Sequence, residues 1–304
     1  MNRDALCRTL PLPDGRRLGY AEYGDPQGQP VVYCHGFPGS RLEGQLAHAA
    51  ARQLHIRLLA IDRPGYGRSD FLPGRTLLDW PLDLGCFADA LGLRKFGLLG
   101  VSGGAPYALA CAALIPERIE RFVLVSPLGP GEKSLAGSSS PGLLRFLVHM
   151  GRERPRIYFW IGRLLAGLLH YVPDILLRLQ SRVASAVDHD ILRDADTRAV
   201  LQQSGREAFV QKGCGPASDL GIYAENWGFH LQEIRLPGIL WQGLADITTP
   251  PEIARELAAS LPLCRLRLIP EEGHFSLVIR RMHTILADFT AGRNDSFKIE
   301  SSAG

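Results

Sequence analysis

The sequence predicts an α/β protein: a mostly parallel sheet covered by helices on both faces, with one helical insertion. Three observations carry this. Short apolar runs alternate with helix-period segments from residue 16 to 125, and again from 237 to 290. Such runs lack a polar face, as strands of a doubly covered parallel sheet do. Between residues 129 and 235 the alternation stops and helical periodicity takes over. The third observation is Gly100-Val101-Ser102-Gly103-Gly104, set between an apolar run and a helix-like run. That is the strand-turn-helix setting of a nucleophile elbow, G-x-S-x-G.

In chain order, Arg16 to Tyr23 reads as one or two short antiparallel strands, closed by the turn cluster Gly24-Asp25-Pro26-Gln27-Gly28. Pro30 to Cys34 is a short strand running into His35-Gly36-Phe37-Pro38-Gly39-Ser40. Arg41 to Leu54 is helical, and Ile56 to Ile61 is a strand ending at Asp62-Arg63-Pro64-Gly65-Tyr66-Gly67-Arg68-Ser69. Thr76 to Leu91 is a helix with Thr76 and Asp79 at capping-box spacing. Phe96 to Leu99 leads into the elbow, and the helix Ala105 to Leu114 leads out with Pro106 in its first turn. Ile119 to Val125 is the next strand. Beyond the insertion come a strand from Pro237 to Gly243, a helix from Pro250 to Leu261, a strand from Leu263 to Ile269 and a helix from Leu277 to Thr290. The expected domains are a core of residues 1–128 and 236–291, a helical cap of 129–235, and a frayed tail of 292–304.

With 304 residues, 46% hydrophobic and 21% charged, the chain has enough apolar residues for a large core. A net charge of +3 without basic runs interleaved with aromatics argues against a nucleic-acid partner. The polar N-terminus lacks the apolar segment of a secretory signal, and the six cysteines show no C-x-x-C pair. Buried thiols in a cytoplasmic protein are expected, rather than disulfides or zinc. Ile157 to Val172 is too short for a membrane span and is interrupted by Arg163 and His170. It reads as a helix over an apolar cleft, with surface membrane association through nearby arginines as a lesser reading.

A serine hydroxyl needs a base within hydrogen-bond reach, itself oriented by a carboxylate. On this type of sheet the order along the chain is serine, acid, histidine. His274, in Glu271-Glu272-Gly273-His274-Phe275, follows the last strand, and Asp246, in Gly243-Leu244-Ala245-Asp246-Ile247, follows the strand before it. Both lie where open α/β sheets bind ligands. Acyl transfer also requires N–H donors for an oxyanion. The backbone amide of Gly103 is one, and the amide of Phe37 the other, since Pro38 has no N–H. Rivals rank lower. His35 is expected to pin its loop, Cys34 to be a buried thiol, and His283 to be an ordinary helix residue. Asp188-His189-Asp190 reads as a solvated charged face, and Glu132 is the fallback acid. Residues 62–69 lack phosphate-loop spacing and read as a tight hydrogen-bonded loop. Trp227-Gly228-Phe229 is either pocket surface or a packing hinge.

On HGFPGS at 35–40, DRPGYGRSD at 62–70, GVSGG at 100–104, GLADITTP at 243–250 and EEGHFSL at 271–277, the chain resembles the α/β-hydrolase superfamily over nearly its whole length. The resemblance implies an eight-stranded sheet, a helical cap and a Ser102-Asp246-His274 triad that needs no metal or cofactor. It is closest to capped bacterial serine hydrolases and esterases. Haloalkane dehalogenases and epoxide hydrolases of this fold place an aspartate at the elbow, where this chain has Ser102. Proline iminopeptidases are similar in the 62–69 loop but carry an aromatic residue where this chain has Gly103. The expected activity is hydrolysis of a hydrophobic small-molecule ester through an acyl-enzyme. The alternatives are C–C, lactone or amide hydrolysis or perhydrolysis at the same site, or ligand binding without catalysis.

Overall fold

A computed structural model describes residues 6–130, 160, 163, 164 and 184–290. Eight strands form one sheet: β1 (Arg8–Pro11), β2 (Arg17–Gly24), β3 (Gln29–Cys34), β4 (Ile56–Ile61), β5 (Phe96–Val101), β6 (Ile119–Val125), β7 (Gly238–Gly243) and β8 (Cys264–Ile269). Their order across the sheet is β1-β2-β4-β3-β5-β6-β7-β8. Only β2 runs against its neighbours; the strands from β4 to β8 pair in parallel. All carboxyl ends of the parallel strands therefore open on one edge, where connecting loops can converge.

The helices whose full extent lies among the described residues are α1 (His48–Gln53), α2 (Trp80–Ala90), α3 (Ala105–Leu114), α4 (Ala186–Arg193), α5 (Ala195–Ala208), α6 (Cys214–Ala224), α7 (Pro251–Ser260) and α8 (His274–Thr290). Strand β3 shows why both sheet faces must be covered. Its alternating side chains fall into different cores, Val32 and Cys34 on one face, Val31 and Tyr33 on the other. The first core takes Phe87 of α2, Leu109 of α3 and Leu257 of α7. The second takes Ala51 of α1 and Leu277, Ile285 and Phe289 of α8. Helix α3 is buried from Ala105 through Ala112, and its small residues permit the close approach to β5 that the elbow requires. An added Cβ at Gly104 would come within 2.1 Å of the Cys34 carbonyl oxygen.

Three elements differ from the sequence reading. Strand β1 is polar and pairs at the sheet edge with only Leu10 inward, so its pattern carries no apolar run. Residues 41–54 divide into a 3-10 turn, Arg41–Ala47, and α1. Helix α8 begins at His274, three residues before the expected start. The Thr76–Asp79 capping box is present as read. Trp227 and Phe229 pack into the first core, with Gly228 at φ 80° against Leu78; the tripeptide is a packing hinge.

Between β6 and β7 the described residues form helices α4, α5 and α6 and no strand. These helices dock on the carboxyl edge through polar contacts. Ser204 of α5 accepts from the Ser40 amide at 2.9 Å, and Glu207 pairs with Arg41 at 2.7 Å. Gln211 donates to the carbonyls of Tyr66, Gly67 and Ser69. Among the described residues no helix is long and apolar enough to cross a membrane. Most of the Ile157–Val172 run, Glu132 and the 292–304 tail lie outside the described residues.

Candidate active site

The turn after β5 sets the geometry. Ser102 has φ 51°, a left-handed conformation that strains a residue with a side chain. The strain lifts the hydroxyl out of the strand path, at the head of a 3-10 turn that leads into α3. The Leu128 amide donates to the Ser102 carbonyl at 3.1 Å, tying the loop after β6 to the elbow.

His274 meets this hydroxyl, and Asp246 meets His274 from the other side of the ring. Ser102 Oγ lies 3.1 Å from His274 Nε2, and His274 Nδ1 lies 2.9 Å from Asp246 Oδ2. Because the carboxylate can only accept, Nδ1 carries the proton and Nε2 is left to accept from the serine. Asp246 is itself held on both oxygens. The Thr248 and Thr249 amides donate to Oδ1, each at 2.9 Å. The Thr249 hydroxyl and the Gln242 side-chain Nε2 donate to Oδ2. Burial raises the Asp246 pKa, but the nearby imidazole and these donors outweigh it, and the net shift is downward. Burial lowers the His274 pKa, while attraction to Asp246 and its hydrogen bond, then Asp188 and Glu43, more than reverse this. The imidazole therefore gains a proton above its ordinary range.

The loop after β3 faces the elbow. Gly103 sits so close to Phe37 and Tyr223 that an added Cβ would meet Phe37 Cβ at 2.6 Å and the Tyr223 hydroxyl at 2.7 Å. Among the described residues the Phe37 amide has no hydrogen-bond acceptor. The loop is braced from beneath. Arg63 donates to the His35 and Gly36 carbonyls, and Glu43 accepts from the Gly36 amide at 2.7 Å. His35 is wholly buried, with Nδ1 2.9 Å from the Gly36 carbonyl. Burial drives its pKa well below the ordinary value, so it stays neutral and pins the loop. Residues 62–69 form the tight loop expected: Asp62 accepts from the Arg41 and Arg68 amides and from the Arg41 side chain.

Two carboxylates went unrecognised in the sequence. Asp219 on α6 is wholly buried between Arg63 and Arg75. It also accepts from the hydroxyls of Tyr66, Tyr107 and Tyr223. Burial alone would raise its pKa; the two guanidinium groups reverse that and hold it far below the carboxylate range. Tyr223 has one hydroxyl proton, which it shares between Asp219 Oδ2 at 3.1 Å and the Gly103 carbonyl at 2.8 Å, so the network reaches the elbow. The second is Asp188, expected on a solvated face and instead 0% exposed. Oδ2 accepts from the His274 amide at 2.9 Å. Oδ1 accepts from the Phe275 and Ser276 amides at 2.9 and 2.8 Å. The first turn of α8 supplies no side-chain acceptor for these amides other than Ser276, which takes the Gly273 N–H. A carboxylate 86 residues away in sequence closes the helix end.

A cavity of about 130 Å³ opens beside Ser102 and His274. Leu46, Leu201, Phe209 and Val278 give it apolar walls, and Glu43 and Gln202 supply polar points. Burial raises the Glu43 pKa despite the Gly36 amide and the Arg63 and His274 charges. The rivals fall away from this cavity. His283 is exposed on α8. Cys34 is buried in β3, its thiol pushed up to about 12 by burial. Cys111 and Cys214 are also buried, whereas Cys7 is exposed. Among the described residues no group of three or more His, Cys, Asp or Glu could hold a metal ion.

A family model described as alpha/beta hydrolase fold matches residues 29–152. A proline iminopeptidase of Xylella fastidiosa strain Temecula1 is 34% identical, over 87% of this chain and 89% of its own length. A hydrolase from Pseudomonas aeruginosa PA01 superposes with a TM-score of 0.72 at 20% identity, covering 96% of this chain and 100% of that one. A thermophilic esterase from Thermogutta terrifontis superposes with a TM-score of 0.68 at 21% identity, covering 93% and 96%. Sheet order, elbow and full-length relatives agree: the chain belongs to the α/β-hydrolase family and is a hydrolase.

Proposed function

We propose that the protein hydrolyses carboxylic esters of hydrophobic small molecules, with Ser102 as nucleophile, His274 as base and Asp246 as orienting acid. The observation that carries this reading is the continuous hydrogen-bonded series from Ser102 Oγ through His274 to Asp246. Neutral His274 takes the Ser102 proton at Nε2 as Oγ attacks the carbonyl carbon. The carbonyl electron pair moves to oxygen, and the amides of Phe37 and Gly103 receive that charge. Asp246 stabilises the imidazolium and keeps its orientation. The imidazolium passes its proton to the departing alkoxide, which leaves Ser102 acylated. Water, deprotonated by His274, then releases the acid and restores the serine. The apolar cavity walls suit an aliphatic acyl or alcohol portion. A cap role for the insertion between β6 and β7 is supported by its described helix α5, which supplies part of the cavity wall through Leu201.

The 34% identical iminopeptidase favours a second reading, cleavage of an N-terminal prolyl amide. Gly103 speaks against it. The aromatic residue that the iminopeptidase resemblance calls for has no room here, since even one carbon would collide with Phe37 and Tyr223. The discriminating experiment compares p-nitrophenyl butyrate with prolyl p-nitroanilide on wild type and Ser102→Ala. The expected result is ester turnover by wild type, little turnover of the anilide, and loss of the ester activity in the variant. Full ester activity in Ser102→Ala would overturn the nucleophile assignment.

A further inference from the structure

We propose that Asp188 is a positioning residue for the base: from the cap side it fixes the first turn of α8, and with it the place of His274 against Ser102. This rests on the role proposed for His274. The geometry is specific. His274 is both the base and the first residue of α8, so its backbone amide has no partner within the helix. Asp188 Oδ2 takes that amide, while Oδ1 takes the next two. The carboxylate is in turn fixed by Ser185, whose hydroxyl donates to Oδ2 at 2.9 Å and accepts from the Asp188 amide. Ser185 and Asp188 thus cap α4 and α8 together. The fit is close: an added Cβ at Gly273 would lie 2.3 Å from both Asp188 Oδ2 and Ser185 Oγ.

The consequence is a link between cap and base. His274 reaches Ser102 and Asp246 from a helix end whose position is shared with the segment between β6 and β7. If α4 withdraws, three amides at the start of α8 lose their acceptor and the imidazole loses its backbone anchor. Asp188 also adds a negative charge near the ring. The other charges facing His274 are Asp246 on the loop after β7, Glu43 on the 3-10 turn and the positive end of α8 itself. Glu272, two residues upstream, is held by Arg280 and Arg281.

Asp188→Asn tests this. Asparagine is a good helix cap and keeps one accepting oxygen. Its amide nitrogen, placed at Oδ2, would oppose the His274 N–H donor to donor. Rates are normalised to functional sites by fluorophosphonate titration, and Asp190→Asn, an exposed neighbour on α4, is the control. The expected result is kcat lowered ~10-fold or more with KM nearly unchanged, because the reacting groups are displaced while the cavity wall is not. The acid limb of kcat/KM should also move down by about half a pH unit or more, since removing a negative charge disfavours the imidazolium. A purely structural role would lower the melting temperature and leave both kinetic readouts at wild-type values, which would overturn the proposal. If Asp188→Asn does not fold, Asp188→Glu reads the same link: the charge stays, the oxygens shift by one methylene, kcat falls and the acid limb holds. Unchanged kcat in Asp188→Glu would likewise overturn it. His274→Ala separates the two readings, because full activity there removes the base itself, whereas an inactive His274→Ala beside a wild-type-like Asp188→Asn removes only the role of Asp188.

Discussion

At the scale of single residues, the site depends on which atoms hold protons. Asp246 can only accept, so it fixes the proton of His274 on Nδ1 and leaves Nε2 facing Ser102. Asp246→Asn keeps the shape but offers an amide that can stabilise the opposite tautomer. The expected loss in kcat is ~10⁴-fold with an unchanged circular dichroism spectrum, measured on p-nitrophenyl butyrate. The pH dependence follows from the same contacts. The proposed mechanism needs neutral His274, and the folded imidazole holds its proton above the ordinary value of about 6.5. The acid limb of kcat/KM should therefore lie above pH 6.5, with activity rising as pH increases through it. For stability the sign is opposite: the folded state gains from His274 protonation fully below its unfolded pKa and loses that gain as pH rises. These three side chains were legible in the sequence because each is a chemically distinctive type at the end of an apolar run. Asp188 was not, because its partners lie 86 to 88 residues away and its own Asp-His-Asp context resembles a solvated surface.

At the scale of elements, the elbow and the loop after β3 are fitted to each other, and Gly103 is the contact point. Gly103→Ala should push the Phe37 loop and Tyr223 apart, because the new carbon has less than 3 Å on two sides. The expected outcome is kcat lowered ~10²-fold through displacement of an oxyanion donor. A melting-temperature decrease should accompany it, from ~1–3 kcal/mol of overpacking. Wild-type kcat in this variant would show that the Phe37 loop does not supply a donor. The start of α8 illustrates the limit of local reading. Glycine at 273 gives no side-chain cap, so the periodicity alone places the helix start at Leu277. The actual start at His274 is set by a carboxylate from another helix. Strand β1 was missed for a related reason, since an edge strand with one inward leucine owes its existence to pairing with β2 rather than to apolar pattern.

At the scale of the molecule, the sheet was legible because parallel strands covered on both faces must be apolar throughout, and such runs stand out. The docking of α5 and α6 was not, because apolar contacts such as Ile222 in the first core are joined there by long-range polar contacts that leave no local pattern. Asp219 is a centre of these polar contacts, joining α6 to Arg63, Arg75 and Tyr107. Asp219→Ala leaves two buried guanidinium groups without their carboxylate, so unfolding should become easier by ~3–5 kcal/mol in urea titrations at pH 7. The folded Asp219 pKa is depressed. Its stabilising contribution is thus complete above the unfolded value of about 3.9 and is lost as pH falls toward the folded value. The gap between wild type and Asp219→Ala should narrow below about pH 4. A gap that is constant with pH would contradict the charge-based account of this network.

Ser102 is the proposed activated nucleophile on this edge of the sheet. Peptide mapping by mass spectrometry after fluorophosphonate treatment tests this role most directly. One phosphonyl group on Ser102 of the wild type is predicted, with none on Ser102→Ala and much slower labelling of His274→Ala. An unlabelled wild type, or equal labelling of Ser102→Ala, would contradict the account.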